Sequence, residues 1–322
     1  MGEPAPLVSI PEAPVPDHGQ AEWFRGADGA TLRAALFHPE GFSPEGKARG
    51  SVVVSPGRSE PIEKYYEVVS DLLARGFVVL VHDWRGQGLS HRMLPDRLKG
   101  HAAGFHDFLG DYQALLAAFE ARLPKPWIAL GHSMGGCLTS LVLAHGETRF
   151  AACVLSAPML GLNPGRTPAF LARGLAWLAA RTPLQGDYVL GDVGDPFKHV
   201  FPQDALTHDA ARYTRHQAQI RANPDIALGG ITWGWTDFAF SACDWLARAP
   251  GVEGISIPVT IVGAGIDTRV LTSAQKAIAA RIPKGRYLEI EDAFHEILIE
   301  TDDRRARFWA AFDETVDPVA PR

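Results

Sequence analysis

Three residue types, placed where they are in this chain, have the makings of covalent catalysis. Gly131-His132-Ser133-Met134-Gly135 is a G-x-S-x-G. It follows a short apolar run at 127–130 (WIAL) and opens a helix-forming stretch, GGCLTSLVLAH. A strand–turn–helix setting of this kind presents a serine hydroxyl at a sharp corner. Glycines two residues to either side let the turn tighten without Cβ clashes. The serine then stands at a helix N-terminus, where backbone N–H groups and the dipole favour developing negative charge.

A hydroxyl alone is a weak nucleophile and needs a base and an orienting acid. Behind such an elbow the order along the chain is serine, acid, histidine. The run at 152–155 is followed by Ser156-Ala157-Pro158-Met159, with no carboxylate. The run at 258–262 (PVTIV) is followed by Gly263-Ala264-Gly265-Ile266-Asp267, which puts Asp267 at the C-terminal edge of a strand. Sheets of this type keep their active sites at that edge. The plainer alternative for Asp267 is a helix N-terminal aspartate. After the last apolar run, Glu291-Asp292-Ala293-Phe294-His295-Glu296 offers a single histidine. Ser133 is thus expected as nucleophile, Asp267 as acid and His295 as base. His132 occupies the variable position of the elbow and packs beside the serine. His82, His91, His101 and His106 gather in one loop region, but no helical i, i+4 pair with an acid makes them a metal site. No metal or organic cofactor is expected.

Acyl transfer also needs preorganised N–H donors for an oxyanion. One is expected from the backbone of Met134. The other is expected from Ser55-Pro56-Gly57-Arg58, just after the run at 51–55 (SVVVS), with Arg58 supplying the N–H and Gly57 letting the backbone approach the substrate. The Arg58 side chain is left open between an anionic headgroup and a surface ion pair. His82-Asp83-Trp84-Arg85-Gly86-Gln87-Gly88-Leu89-Ser90 reads as a tight supporting loop pinned by Asp83 and Arg85.

The elements that must position these groups follow a clear rhythm. Apolar runs at 51–55, 77–81, 127–130, 152–155, 258–262 and 287–290 read as strands buried on both faces. Helix-length segments at 62–75, 105–122, 134–145, 271–281 and 302–313 lie between or after them. Strand alternating with helix predicts a mostly parallel sheet covered on both sides. Before it, 22–25 and 31–37 flank a Gly26-Ala27-Asp28-Gly29 hairpin signal. The rhythm breaks after Pro158, and the gap is far beyond the usual connection length, so an inserted cap is expected. Within it, 168–181 reads as an amphipathic helix with Leu171, Leu175 and Leu178 on one face, and 207–222 as another. The domain reading is an extended proline-rich arm at 1–20, a core at 21–158 and 236–322, and a cap at 159–235.

Composition narrows the classes. The net charge is −6, which speaks against a general nucleic-acid partner. Three cysteines, Cys137, Cys153 and Cys243, make no disulfide framework, so a reducing, cytoplasmic setting is expected. No run of transmembrane length and no signal-peptide pattern is read. An aspartate-nucleophile dehalogenase is excluded by the serine at the elbow.

With these residues in view, the sequence resembles bacterial lysophospholipases and monoacylglycerol lipases of the α/β-hydrolase superfamily, grouped under a serine aminopeptidase-type domain. SPGRSEPIEKY (55–65), HDWRGQGLS (82–90), GHSMGG (131–136), SAPMLG (156–161) and FHEILIE (294–300) carry the resemblance, over about residues 22–315. It implies the α/β-hydrolase fold with a helical cap over the site and an acyl-ester substrate with one acyl chain. It also implies a nucleophile at Ser133, a base at His295, an acid at Asp267, and oxyanion donors at Arg58 and Met134. The cap aromatics Phe170, Trp177, Trp233, Trp235 and Phe238 either wall an acyl tunnel or form the cap's own core; Trp177, Trp233 and Trp235 are taken with Gly57 and His132 as candidate substrate contacts. From 159 to 240 the chain carries seven Lys/Arg and seven Asp, so contact with a membrane would be apolar and weak. Two other readings stand beside the esterase: an aminopeptidase-like amide hydrolase, with Glu60 or a cap aspartate holding a substrate ammonium, and a non-catalytic ligand-binding member of the fold.

Overall fold

The computed structural model describes residues 2–42, 48–165, 167–190, 194–203 and 205–322. In chain order its elements are β1 (Pro4–Ala5), β2 (Gly19–Arg25), β3 (Thr31–Phe37), β4 (Gly50–Ser55), α1 (Tyr66–Ala74), β5 (Phe77–His82), α2 (His106–Phe119), β6 (Trp127–His132) and α3 (Ser133–Ala144). Then follow β7 (Phe150–Ser156), α4 (Ala169–Ala179), α5 (Ala210–Ala222), α6 (Trp233–Arg248), β8 (Val259–Ala264), α7 (Thr272–Arg281), β9 (Gly285–Ile290) and α8 (Asp302–Val316). The strands form one sheet in the order β1-β2-β3-β5-β4-β6-β7-β8-β9. β1, β2 and β3 join antiparallel, and the six strands from β5 to β9 run parallel.

The valine-rich runs are continuous because both sheet faces are covered. Val52 and Val54 point into a cluster with Val69, Leu72, Phe308 and Phe312 from α1 and α8. Val53, between them, points into a second cluster with Leu115, Leu138, Phe238 and Ile278 from α2, α3, α6 and α7. The apolar side chains of every central strand thus have a helix to meet on either side.

The structure departs from the sequence reading at both ends of the outlying segments. The expected arm at 1–20 is stitched to the sheet: Pro4 and Ala5 pair with Glu22 and Ala21. The Arg33 guanidinium donates to Pro6 O at 2.9 Å, and the Tyr66 hydroxyl to Val8 O at 3.0 Å. Helix α6 was not foreseen, and a cap boundary at 235/236 cuts its first turn. Thr232 caps it, accepting from the Trp235 N–H at 3.2 Å. Phe238, Ala239, Ala242 and Leu246 on α6 are buried in the same cluster as α2 and α3, so this helix packs as part of the core. Its WGWTDF opening holds residues of modest helix propensity, which hides the helix from periodicity.

One buried cation secures the arm, β3 and the loop after β5 together. Arg33 makes a bidentate pair with Glu63 at 2.9 and 2.7 Å, and its Nε donates to Asp83 at 2.7 Å. All three side chains are fully buried. Removing one member of such a group leaves uncompensated charge in the interior. Arg33→Met is therefore expected to lower stability by about 3–5 kcal/mol, read as a lower Tm and an unfolding midpoint at less urea. A change no larger than a surface substitution gives would contradict this role.

Candidate active site

The β6–α3 junction is a strained corner. Ser133 begins α3 with φ at +50°, a left-handed conformation that a non-glycine residue seldom adopts. Such strain costs on the order of 1–3 kcal/mol and persists only where packing enforces it. Here the enforcement is backbone contact. Gly135 lies against the carbonyls of Ser55 and Pro56, so closely that a Cβ would come within 2.0 Å of Ser55 O. Because β4 and β6 are parallel neighbours, with Ser55 opposite Gly131, the loop after β4 and the elbow after β6 leave the sheet side by side.

The other two groups arrive from β8 and β9. His295 Nε2 is 2.9 Å from Ser133 Oγ, and His295 Nδ1 is 2.7 Å from Asp267 Oδ2. A carboxylate only accepts, so the proton belongs on Nδ1, which leaves Nε2 to accept from the serine hydroxyl. The other Asp267 oxygen accepts from the N–H groups of Arg269 (2.7 Å) and Val270 (3.0 Å). Burial alone would push the Asp267 carboxyl up; the hydrogen bond and charge of His295, with the two N–H donors, hold it below the usual carboxylate range.

A cavity of about 440 Å³ opens over Ser133. Of the residues singled out from sequence, Arg58, Glu60, His132, Ser133, Met134, Trp235 and His295 line it. Met134 sits in the first turn of α3, where helix geometry leaves the N–H without an intrahelical acceptor. The Arg58 guanidinium donates to Gly229 O and lies over the Trp235 ring at 5.5 Å. His132 is held by Ser156 O at 3.0 Å, and burial pushes its imidazole below the ordinary value.

Three candidate contacts are corrected. Gly57 lies outside the lining, with its N–H bonded to Glu60 at 2.6 Å and its Cα face packed on the His132 ring. Trp233 stands at the outer start of α6, its N–H bonded to Asp187 O. Trp177 is 54% exposed on α4 beneath the Arg181 guanidinium. Phe170 is likewise exposed, and Phe238 packs against Phe108 in the core. Of the five aromatics, Trp235 alone reaches the cavity. In the loop after β5, Asp83 and Arg85 take separate partners, Arg33 and Asp111. That loop braces the one after β4: Trp84 Nε1 donates to Pro56 O at 2.8 Å, and Gln87 Oε1 accepts from Ser59 N at 2.8 Å. The four loop histidines form no metal-binding group among the described residues.

Sequence reasoning named Glu60 only as a holder of a substrate ammonium and missed Lys64, Glu296 and Glu300 beneath the site. Lys64 bridges Glu60 (2.7 Å) and Glu296 (2.6 Å), and Glu60 also accepts from the Tyr65 hydroxyl at 2.6 Å. Burial would raise the Glu60 carboxyl; the Lys64 charge, with lesser help from His132, holds it well below its ordinary value. Glu300, fully buried, accepts from Phe294 N (2.9 Å), just before His295, and from His208 Nδ1 (2.7 Å) in the inserted segment. It ties the histidine loop to that segment, whose Leu206 O also accepts from Glu296 N. The signal was present in Glu60-x-x-x-Lys64 and in two glutamates among the apolar residues of FHEILIE.

A mostly parallel sheet flanked by helices, with a serine at its strand–helix corner, defines an α/β-hydrolase. The profile of the serine aminopeptidase S33 family matches residues 46–302, and the chain belongs to that family as a hydrolase enzyme. It is 35% identical over 268 residues to lysophospholipase L2 of Escherichia coli, covering 79% of this chain and 76% of that one. It is 30% identical over 147 residues to a monoacylglycerol lipase of Mycolicibacterium smegmatis, covering 45% and 51%. Its fold matches a soluble variant of monoglyceride lipase from Saccharomyces cerevisiae with a TM-score of 0.73, at 20% identity over 98% of this chain and 99% of that one.

The Lys64 cluster gives a signed pH prediction. The Glu60 pKa is depressed in the folded state, so its stabilising share is full above its unfolded value and fades as pH falls below it. In Lys64→Met the same buried carboxyl has lost its cation, its pKa rises, and ionisation then opposes folding. Lys64→Met should therefore be destabilised most at about pH 7 and less at about pH 4, where proton uptake relieves the cost. Urea unfolding at the two pH values checks this; a gap that widens on acidification would refute it.

Proposed function

We propose that this enzyme hydrolyses the carboxylic ester of monoacyl lipids, lysophospholipids or monoacylglycerols, through an acyl-enzyme on Ser133. The observation that carries the reading is the continuous Ser133–His295–Asp267 hydrogen-bond relay opening on a cavity lined by both polar and apolar side chains. Glu60, Lys64, His216 and Gln217 supply polar lining; Met159, Leu162, Leu228, Ile231 and Trp235 supply apolar lining. An amphipathic ester suits such a space. Relatives named lysophospholipase and monoacylglycerol lipase support the same substrate class.

In this mechanism the Ser133 hydroxyl attacks the ester carbonyl while its proton passes to His295 Nε2. The N–H groups of Arg58 and Met134 hold the oxyanion. The alcohol leaves with the proton from His295, and a water then repeats the sequence on the acyl-enzyme. Asp267 keeps the Nδ1 proton in place and stabilises the imidazolium. Every step runs on groups of this chain.

Amide hydrolysis of an N-terminal residue is less well supported. It needs a free anion for a substrate ammonium, whereas Glu60 is already engaged by Lys64, Tyr65 and the Gly57 N–H.

The segment 159–235 serves in this reading as a lid, with α4 as the part that meets lipid. On α4, Phe170, Leu171, Leu175, Trp177 and Leu178 are exposed, and only Ala176 is buried. Arg173 and Arg181 are paired with Asp244 and Asp237 on α6, so the helix presents apolar surface without net charge. A patch of this kind suits the interface of a lipid aggregate. No helix among the described residues is long and apolar enough to cross a membrane.

Ser133→Ala should lower kcat on a monoacylglycerol by about 10³- to 10⁶-fold and abolish covalent labelling by a fluorophosphonate. Retention of either would remove Ser133 from the mechanism. Phe170→Glu combined with Leu178→Glu should reduce co-sedimentation with phosphatidylcholine vesicles while leaving hydrolysis of dissolved p-nitrophenyl acetate within about twofold. Unchanged sedimentation of a wild type that does bind vesicles would show that α4 is not the contact.

A further inference from the structure

The two N–H groups that flank His295 in the chain both lead to the inserted segment. Glu296 N donates to Leu206 O at 2.9 Å. Phe294 N donates to Glu300 Oε1 at 2.9 Å, and that same oxygen is 2.7 Å from His208 Nδ1. The other oxygen, Oε2, accepts from His208 N and Thr301 N at 3.1 Å each. A carboxylate has about four acceptor sites. Donors fill all of them here, so His208 Nδ1 carries a proton, and His208 alone supplies both a backbone and a ring N–H.

Glu300 is fully buried, whereas the His208 side chain is 33% exposed. A buried carboxylate deprived of a donor is costly, and the chain around it shifts to make up the loss. The His208 ring also lies flat on the Phe294 ring, 3.9 Å between centroids and 6° from parallel. One side chain thus holds residue 294 twice, through its ring and, by way of Glu300, through its N–H. The next residue is His295, which must keep 2.9 Å to Ser133 Oγ and 2.7 Å to Asp267 Oδ2.

The inserted segment is docked here by contacts other than the His208 side chain. Thr207 Oγ1 donates to Ile299 O at 2.7 Å and accepts from Asp209 N at 3.0 Å. Asp209 caps α5, accepting from Arg212 N at 2.9 Å. Arg212 pairs with Glu67 and Asp302 at 2.6 Å each and donates to Glu300 O at 2.9 Å. With its own segment secured in these ways, the His208 side chain bears on the histidine loop. Catalysis is sensitive to such support, since a misplacement of about 1 Å in a reacting group can cost about 100-fold in rate.

We propose that His208 is a positioning residue for the catalytic base: its Nδ1–H on Glu300, with its ring on Phe294, sets where His295 stands, so that the inserted segment completes the active site as well as covering it. The hydrogen bond carries the greater part of the effect. This rests on the mechanism above, in which His295 takes and returns the Ser133 proton.

Wild type, His208→Leu and His208→Asn are compared on p-nitrophenyl butyrate, a dissolved ester that needs no lipid surface, with kcat expressed per Ser133 titrated by a fluorophosphonate. Asparagine keeps an N–H at the place of Nδ1; leucine keeps bulk over Phe294 and loses the donor. His208→Leu should lower kcat by about tenfold or more with KM within about twofold, and His208→Asn should recover kcat to within about threefold of wild type. The rate of fluorophosphonate labelling should fall in step with kcat. A merely structural role would lower Tm and leave kcat per titrated site unchanged. A His208→Leu kcat within about twofold of wild type, a rise in KM alone, or a His208→Asn no better than His208→Leu overturns the proposal. His208→Ala, with the same expectations, replaces the leucine variant should that one not fold. A wild type that hydrolyses the ester without being labelled at Ser133 overturns the mechanism itself, which is a separate result.

Discussion

The close approach of Gly135 to the carbonyls of Ser55 and Pro56 is the contact on which the site depends. It wedges the first turn of α3 against the end of β4, and so keeps Ser133 in a conformation that serine does not choose for itself. The same contact fixes the spacing between the elbow and the loop that carries Arg58. That loop is braced from the far side by Trp84 and Gln87. Four chain segments, after β4, β5, β6 and β7, are therefore mutually determined before any histidine or aspartate is added. Ser133 O even accepts the N–H of Met159, so the exit from β7 closes the ring.

Charge is handled in this molecule by burying each cation against one or two carboxylates. Arg33 answers Glu63 and Asp83, Arg85 answers Asp111, and Lys64 answers Glu60 and Glu296. Groups of this kind add little net stability compared with a well-packed apolar core, but they fix geometry, since a misplaced partner leaves a charge stranded. Each of them pins a loop at the C-terminal edge of the sheet. Glu300 does this with four N–H contacts, including Phe294 N and His208 N, and so makes the position of the histidine loop depend on the inserted segment.

Much of this was legible in the sequence, and the limits have a physical cause. The elbow, Asp267 and His295 stood out because local chain order and the strand rhythm suffice to place them. Five of the six parallel strands stood out because burial on both faces writes continuous apolar runs; β9, at the sheet edge, is only partly buried. What escaped depends on contacts distant in the chain. Leu171, Leu175 and Leu178 have the spacing of a buried face, yet they are exposed, because periodicity reports that a face exists and not that anything covers it. Trp177 and Trp233 looked like lining for the same reason. Lys64 and Glu296 are ordinary surface residues by type, and only the fold brings position 296 beside position 64. The pairing of Pro4–Ala5 with β2 was hidden by prolines that read as a free arm.

The two helices inserted between β7 and β8 ahead of α6 have opposite characters, and the difference decides which of them is held more firmly. Helix α5 is tied to the core by Arg212, Arg215 and Gln219. Helix α4 rests on α6 through two half-exposed ion pairs, of the kind worth about 0–1 kcal/mol each, and turns apolar side chains outward. If the inserted segment moves, α4 is the part with the least to break.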